Sequence, residues 1–159
     1  MKTIILSCLM MFTTLVLSAT PSSPDEYVKT KNDILYYTRL TVGPTKARLI
    51  LDNGKKMTLM NNEVVAYKKN GKIYEKVPLY FKNKNTNRQV FMEIIKYKNG
   101  MKLYRYNSYS SFRPGFSADD PQPVEQYYVF KNGSYHLQLD KVNYKTVFDF
   151  FGIDAKLIQ

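Results

Sequence analysis

The stretch VFMEIIKYKNGMKLYRY, residues 90–106, decides the fold. Apolar and aromatic residues alternate with charged ones on both sides of Asn99-Gly100. An Asn-Gly pair between two such runs is typical of a type I′ hairpin turn, because both central residues must adopt positive φ. Both alternating sets in the first arm contain apolar side chains, so we expect a central strand that is covered on both faces.

The same dipeptide occurs three more times, each time between strand-like runs, at Asn53-Gly54, Asn70-Gly71 and Asn132-Gly133. The pattern predicts strands at 34–42, 46–51, 55–60, 64–68, 72–81, 90–97, 101–106, 126–130 and 134–139. Within the last of these, we expect Tyr135, Leu137 and Leu139 to share one face.

The apolar spacing then changes to a helical period over 140–151, with Asp140 as the start cap, Val142 on the apolar side and Gly152 as the terminator. The predicted fold class is therefore mainly β, with antiparallel hairpins forming a curved sheet or open barrel and one C-terminal helix.

The first residues resemble an export signal. Lys2 precedes an apolar stretch, and small residues up to Ala19 precede Pro21, so residues 1–19 are predicted to be a signal peptide. Cleavage there removes Cys8, the single cysteine, and excludes disulfides from the mature chain. These features favour the periplasm or cell envelope of a bacterium over a disulfide-based extracellular environment.

The mature chain has the length of one domain. We expect a flexible leader at 20–33 and a single β-rich domain at 34–159. Two polar segments are predicted to be loops: a basic loop at 82–89, and a mobile loop at 107–124 that is rich in Ser and Pro.

The charge of the chain is strongly basic, with a formal net charge of +11. Residues 66–105 contain nine Lys and two Arg against two Glu, which favours an anionic partner such as an acidic glycan or lipid headgroups. An envelope protein is a further partner class, whereas export disfavours nucleic acid. The alternative is that these cations only keep the wet face of the sheet soluble. The candidate anion-binding residues are Lys69, Lys72, Lys98, Lys102 and Arg105.

The sequence contains no recognisable catalytic constellation, and it predicts neither a cofactor nor a metal site. One histidine, His136, and no mature cysteine cannot build the usual zinc ligand sets. Asp119-Asp120 fall in the predicted mobile loop, and the glutamates are dispersed. We therefore expect a noncatalytic protein that binds or scaffolds a partner. The alternative is a hydrolase or binder that acts on an anionic polymer through the basic 66–105 region, with carboxylates that converge only in the fold.

Several segments together resemble small exported proteins of unknown function from the Bacteroidota. The matching pieces are LDNGKKMT at 51–58, VAYKKNGKIYE at 65–75, FMEI at 91–94, LYRY at 103–106, the tyrosine pair at 127–128 and NYK at 143–145. The resemblance implies export and a β-rich domain. It supplies no active-site residues.

Overall fold

A computed structural model describes residues 26–110 and 122–154, which form one open ten-stranded antiparallel sheet followed by a short helix. The elements are β1 Tyr27–Thr30, β2 Ile34–Val42, β3 Lys46–Leu51, β4 Lys56–Met60, β5 Val64–Lys69, β6 Lys72–Phe81, β7 Lys84–Lys98, β8 Met101–Ser110, β9 Gln122–Lys131, β10 Ser134–Gln138 and α1 Tyr144–Phe151. The strand order is β10-β9-β8-β7-β6-β5-β1-β2-β3-β4. The predicted fold class is confirmed.

The part of the sheet from β5 to β4 is strongly curled. Four strand spacings separate β4 from β5, about 19 Å in a flat sheet. The chain runs from Met60 to Val64 in four steps, which span at most about 14 Å. The two strands can be joined this way only if the sheet curls, and the Lys76 ammonium on β6 accordingly reaches the Asn61 carbonyl, 2.7 Å away.

The other half of the sheet bends in a different place. The rings of Tyr80 on β6 and Tyr135 on β10 stack with centroids 3.8 Å apart, although three strands lie between them. The Tyr128 hydroxyl also donates to the Tyr80 carbonyl at 3.0 Å. A bulge between Pro78 and Tyr80 lies where the β6–β7 hairpin bends, and bulges increase local bend and twist. The end of this hairpin therefore folds over the sheet.

Three apolar clusters hold the structure, and they lie on alternating faces. We call the face that carries Leu103 and Arg105 the helix face, because Leu103 packs there against Phe148 and Phe151 of α1. In the curled half, the helix face is the interior, which is filled around Val28 and Leu49. The opposite face is covered in the other half by Met92, Val77, Tyr104, Tyr128 and Phe130. Strand β7 thus has apolar contacts on both faces, as the sequence predicted.

The first correction concerns the predicted leader. Tyr27–Thr30 is a strand that pairs with both β2 and β5, and Val28 is fully buried. Glu26 extends this pairing, since its carboxylate accepts from the Asn70 amide. Only residues 20–25 of that prediction, together with the signal at 1–19, lie outside the described residues.

Both predicted loop segments overlap with strands. Strand β7 begins at Lys84, because the turn is made by Lys82 and Asn83, both with positive φ. The predicted mobile loop was placed at 107–124, but β8 continues to Ser110 and β9 begins at Gln122. Residues 111–121 lie outside the described part of the chain.

Strand β10 departs from simple alternation. A register shift between Tyr135 and Leu137 sends Tyr135 to the opposite face and Leu137 to the helix face. The prediction that these two side chains share a face was therefore wrong. A bulge adds one residue on one strand, and the sequence alternation does not reveal it.

The helix is shorter than predicted and begins after Asn143. The Asp140 carboxylate accepts from the amides of Val142 and Asn143, so it caps a preceding turn instead of the helix. Val142 is 89% exposed and lies outside the apolar face. The predicted terminator is confirmed, because Gly152 has a φ of 68°.

Candidate functional site

A buried ionic cluster lies on the helix face, between the curled interior and α1. Strand register places Glu93 directly beside Arg105 on β8 and Tyr74 on β6. The Glu93 carboxylate accepts from Arg105 Nη2 at 2.8 Å and lies 3.5 Å from Lys72 Nζ. Arg105 Nη1 also reaches Glu125, at 3.3 Å. Glu93 is only 8% exposed, so this carboxylate depends on its cations for compensation.

The electrostatics of this cluster stabilise its charged arginine. Burial alone would lower the pKa of Arg105, but the hydrogen bond and negative charge of Glu93 raise it. Burial, followed by the hydrogen bond to Glu125, raises the pKa of Tyr127 to about 12. Tyr74 also has a raised pKa, from burial and then from Glu93. Both tyrosines are therefore neutral at physiological pH, and the Tyr127 hydroxyl donates to Glu125 at 2.7 Å.

A second ionic cluster lies on the opposite face. The Glu75 carboxylate accepts from Lys102 Nζ at 2.7 Å and from the Tyr104 hydroxyl at 2.5 Å. Burial and this hydrogen bond raise the pKa of Tyr104 far above its ordinary value. The three side chains line a cavity of about 310 Å³ together with Tyr97 and Phe130. The cavity has a size that a small molecule could occupy, but its one carboxylate is already engaged by two donors.

The structure disperses the five predicted anion-binding residues. Lys72 and Arg105 bind Glu93 on the helix face, whereas Lys102 binds Glu75 on the other face. Lys98 donates to the Phe150 carbonyl at 2.5 Å and stacks over the Phe150 ring, 5.0 Å from its centroid.

Lys69 opposes Lys72 in the β5–β6 register. Both side chains line a cleft of about 380 Å³ with Asn70 and Tyr67. Lys69 and Lys72 are thus neighbours that share a cleft.

A different set of cations comes together on the outward side of the curl. Arg39 on β2, Arg48 on β3 and Lys56 on β4 are exposed and line one groove of about 280 Å³. Within the described residues, none of the three has an ion pair with a carboxylate. The sequence did not predict this group, because its three residues lie outside the basic region at 66–105, where the positive charge is concentrated. The Asn53-Gly54 dipeptide could not have revealed it, because Asn53 does not adopt positive φ and the observed pairing of Ile50 with Lys56 is one residue away from the register of a two-residue turn.

Groups that could hold a metal ion are not brought together in the described ranges. No cluster of three His, Cys, Asp or Glu side chains occurs there. His136 is exposed on β10, and Asp119-Asp120 lie outside the described residues. Among the described helices, none is long and apolar enough to cross a membrane.

Comparison with protein-family models, curated proteins and solved structures gave no match. The candidate sites are therefore argued from the chemistry of this chain.

Proposed function

We propose that this chain is a noncatalytic exported domain of the periplasm or cell envelope that binds an anionic partner. The observation that carries the proposal is that the acidic side chains of its basic region are already paired with cations of the same chain. Glu75 and Glu93 are the two acidic residues of the basic 66–105 region, and both are bound to cations within the sheet. These carboxylates hold strands together, while the excess positive charge is left for a partner.

The same geometry argues against a hydrolase that uses two carboxylates. Such an enzyme needs one acid and one base or nucleophile on either side of the scissile bond, with room for the substrate between them. The two carboxylates that approach each other here are Glu93 and Glu125, and the Arg105 guanidinium bridges them. A substrate could enter only by displacing Arg105 from a largely buried position.

Export is supported by the basic start, apolar run and small residues of positions 1–19. The resemblance to exported proteins of the Bacteroidota agrees with it. In this setting, the anionic partners available to a basic domain are acidic glycans and lipid headgroups.

The test uses the full chain, expressed so that the cell exports it, and two acidic polysaccharides, heparin and polygalacturonate. We expect the protein to be recovered from the periplasmic or envelope fraction. We also expect it to bind at least one polymer, with weaker binding at higher salt, and to release no reducing ends. Release of reducing ends that is lost in the Glu93→Gln variant would establish the hydrolase instead. Recovery only from the cytosol would contradict export.

A further inference from the structure

The outward side of strands β2 to β4 presents a regular array of polar side chains. The register aligns Thr41, Arg48 and Thr58 in one cross-strand row, and Arg39, Ile50 and Lys56 in the next. We propose that this array, which we call the β2–β4 cationic face, binds the sulfate or carboxylate groups of an acidic polysaccharide. This inference rests on the proposed function and gives the anionic partner a site and a chemical class.

The charge arrangement on this face is unfavourable without a ligand. Residues in diagonal register on adjacent strands lie about 7–8 Å apart, so Arg48 has a like charge on each side, from Arg39 and Lys56. Like charges directly opposite each other destabilise a sheet, and a weaker repulsion remains at this diagonal spacing, which is within the screening length of about 8–10 Å at ordinary ionic strength. None of the three has an ion-pair partner among the described residues, whereas Arg105 and Lys102 elsewhere each bind a glutamate. A bound anion would relieve this repulsion.

Solubility alone does not account for the array. Edge strands commonly carry Lys to prevent pairing with other chains, and that explanation fits Lys56 on the edge strand β4. It does not fit Arg39 and Arg48, because β2 and β3 are paired on both sides. Both of these residues are Arg, whose planar fork of N–H donors matches a carboxylate or a similar oxyanion better than a lysine ammonium does.

The groove also suits a sugar better than a lipid surface. Thr41 and Thr58 add hydroxyl groups beside Arg48, and hydroxyls can both donate to and accept from a sugar. Ile50 provides an apolar contact for a ring, but Arg39 and Lys56 flank it on both sides. A membrane-binding surface needs apolar side chains that can enter the acyl region. An isoleucine between two cations is poorly placed for that role, and the groove therefore points to a hydrated, anionic polymer.

The test compares two variants of equal net charge. The array variant is Arg39→Gln, Arg48→Gln and Lys56→Gln; the control variant is Lys131→Gln, Lys141→Gln and Lys145→Gln, at three exposed positions outside the groove and outside the basic 66–105 region. Both should have the circular dichroism spectrum of the wild type; the control should also keep its urea midpoint, whereas the array variant should have a midpoint no lower than that of the wild type, because three neighbouring like charges are removed. Heparin and polygalacturonate are the polysaccharide probes, and vesicles of phosphatidylglycerol are the lipid probe.

We expect the array variant to bind heparin or polygalacturonate at least about tenfold more weakly than the wild type, since charge-assisted hydrogen bonds from three cations are lost. The control variant should lose no more than about threefold, through the change in overall charge. Loss in only one polymer assigns sulfate or carboxylate as the recognised group.

Three results would overturn the inference. Equal losses in the array and control variants would mean that binding follows net charge, which removes the site but leaves the proposed function. Wild-type binding to vesicles and to neither polysaccharide would reject the polysaccharide, and loss of that binding in the array variant alone would assign the face to lipid headgroups. An absence of wild-type binding to any of the three probes would reject the proposed function and the site together.

Discussion

Replacing Arg105 by Met should destabilise the fold substantially, because it leaves Glu93 buried with little compensation. The side chain of Glu93 is 10% exposed and that of Arg105 is 22% exposed. Opposite charges about 4 Å apart attract by about 4 kcal/mol at an effective dielectric constant near 20. Removing one partner of a buried pair costs about 3–5 kcal/mol.

In the Arg105→Met variant, Lys72 is the cation that remains beside Glu93, and it determines how much stability is lost. Lys72 lies 3.5 Å from Glu93, but its side chain is 49% exposed, so it can compensate only in part. We therefore expect Arg105→Met to lower the free energy of unfolding by about 3 kcal/mol, at the lower end of the range for a buried pair. Urea titration followed by circular dichroism measures this change, with the slope of the transition as a check on two-state behaviour.

A double-mutant cycle separates the ion pair from general packing. Glu93→Gln combined with Arg105→Met removes both charges, so the double variant should be more stable than the sum of the two single losses predicts, by about 1–3 kcal/mol. Arg88→Met on the exposed side of β7 is the control and should change stability by no more than about 0.5 kcal/mol. The reasoning is refuted if Arg105→Met matches this control, or if the two single losses simply add.

Two further predictions concern the core and the pH dependence of the fold. Met92→Ala should lower the free energy of unfolding by about 2–5 kcal/mol, because Met92 is fully buried. Met60→Ala is the control: its side chain is 54% exposed, so the loss should be less than about 0.5 kcal/mol. Similar urea midpoints for the two variants would contradict the burial described for β7. Burial raises the pKa of Tyr127 and of Tyr128 to about 12, above the ordinary 10.0, so between these values the folded protein retains protons that the unfolded chain has lost. The contribution of these two tyrosines to stability should therefore be fully present below about pH 10 and be lost from there to about pH 12, with a shallower fall in Tyr128→Phe. Urea midpoints that do not change between about pH 9 and about pH 12 would disprove it.

Local features of the sequence predicted most of the strands because hairpins are local structures. The two-residue turns at Asn70, Asn99 and Asn132 fix which residues oppose each other in the two arms, and alternation then assigns their faces. The Asn53-Gly54 dipeptide instead lies in a three-residue loop, since Ile50 pairs with Lys56. Strands β2, β3 and β6 accordingly have the bounds that were predicted. The same logic failed for β1, since Tyr27–Thr30 lies in a short polar segment and becomes a strand only through pairing with β2 and β5.

The candidate sites were less predictable, because they depend on neighbours that are distant in sequence. Lys102 and Glu75 are 27 residues apart in the sequence. They meet because their strands, β8 and β6, lie on either side of β7, and the two side chains reach each other across it. In the sequence, Lys102 and Arg105 are basic residues only three positions apart, and both were predicted to be available for an anion. The strand order gives each of them its own glutamate.

The sequence by itself determined the class of the fold, the hairpins and the excess of positive charge, since these follow from local backbone preferences, alternation and composition. Only the tertiary structure decided which charges are neutralised within the sheet and which remain exposed. The physical reason is that an ion pair depends on strand order and register, and these are set by burial across the whole sheet. Arg105 is thereby committed to Glu93, while Arg39 and Arg48 are left facing solvent.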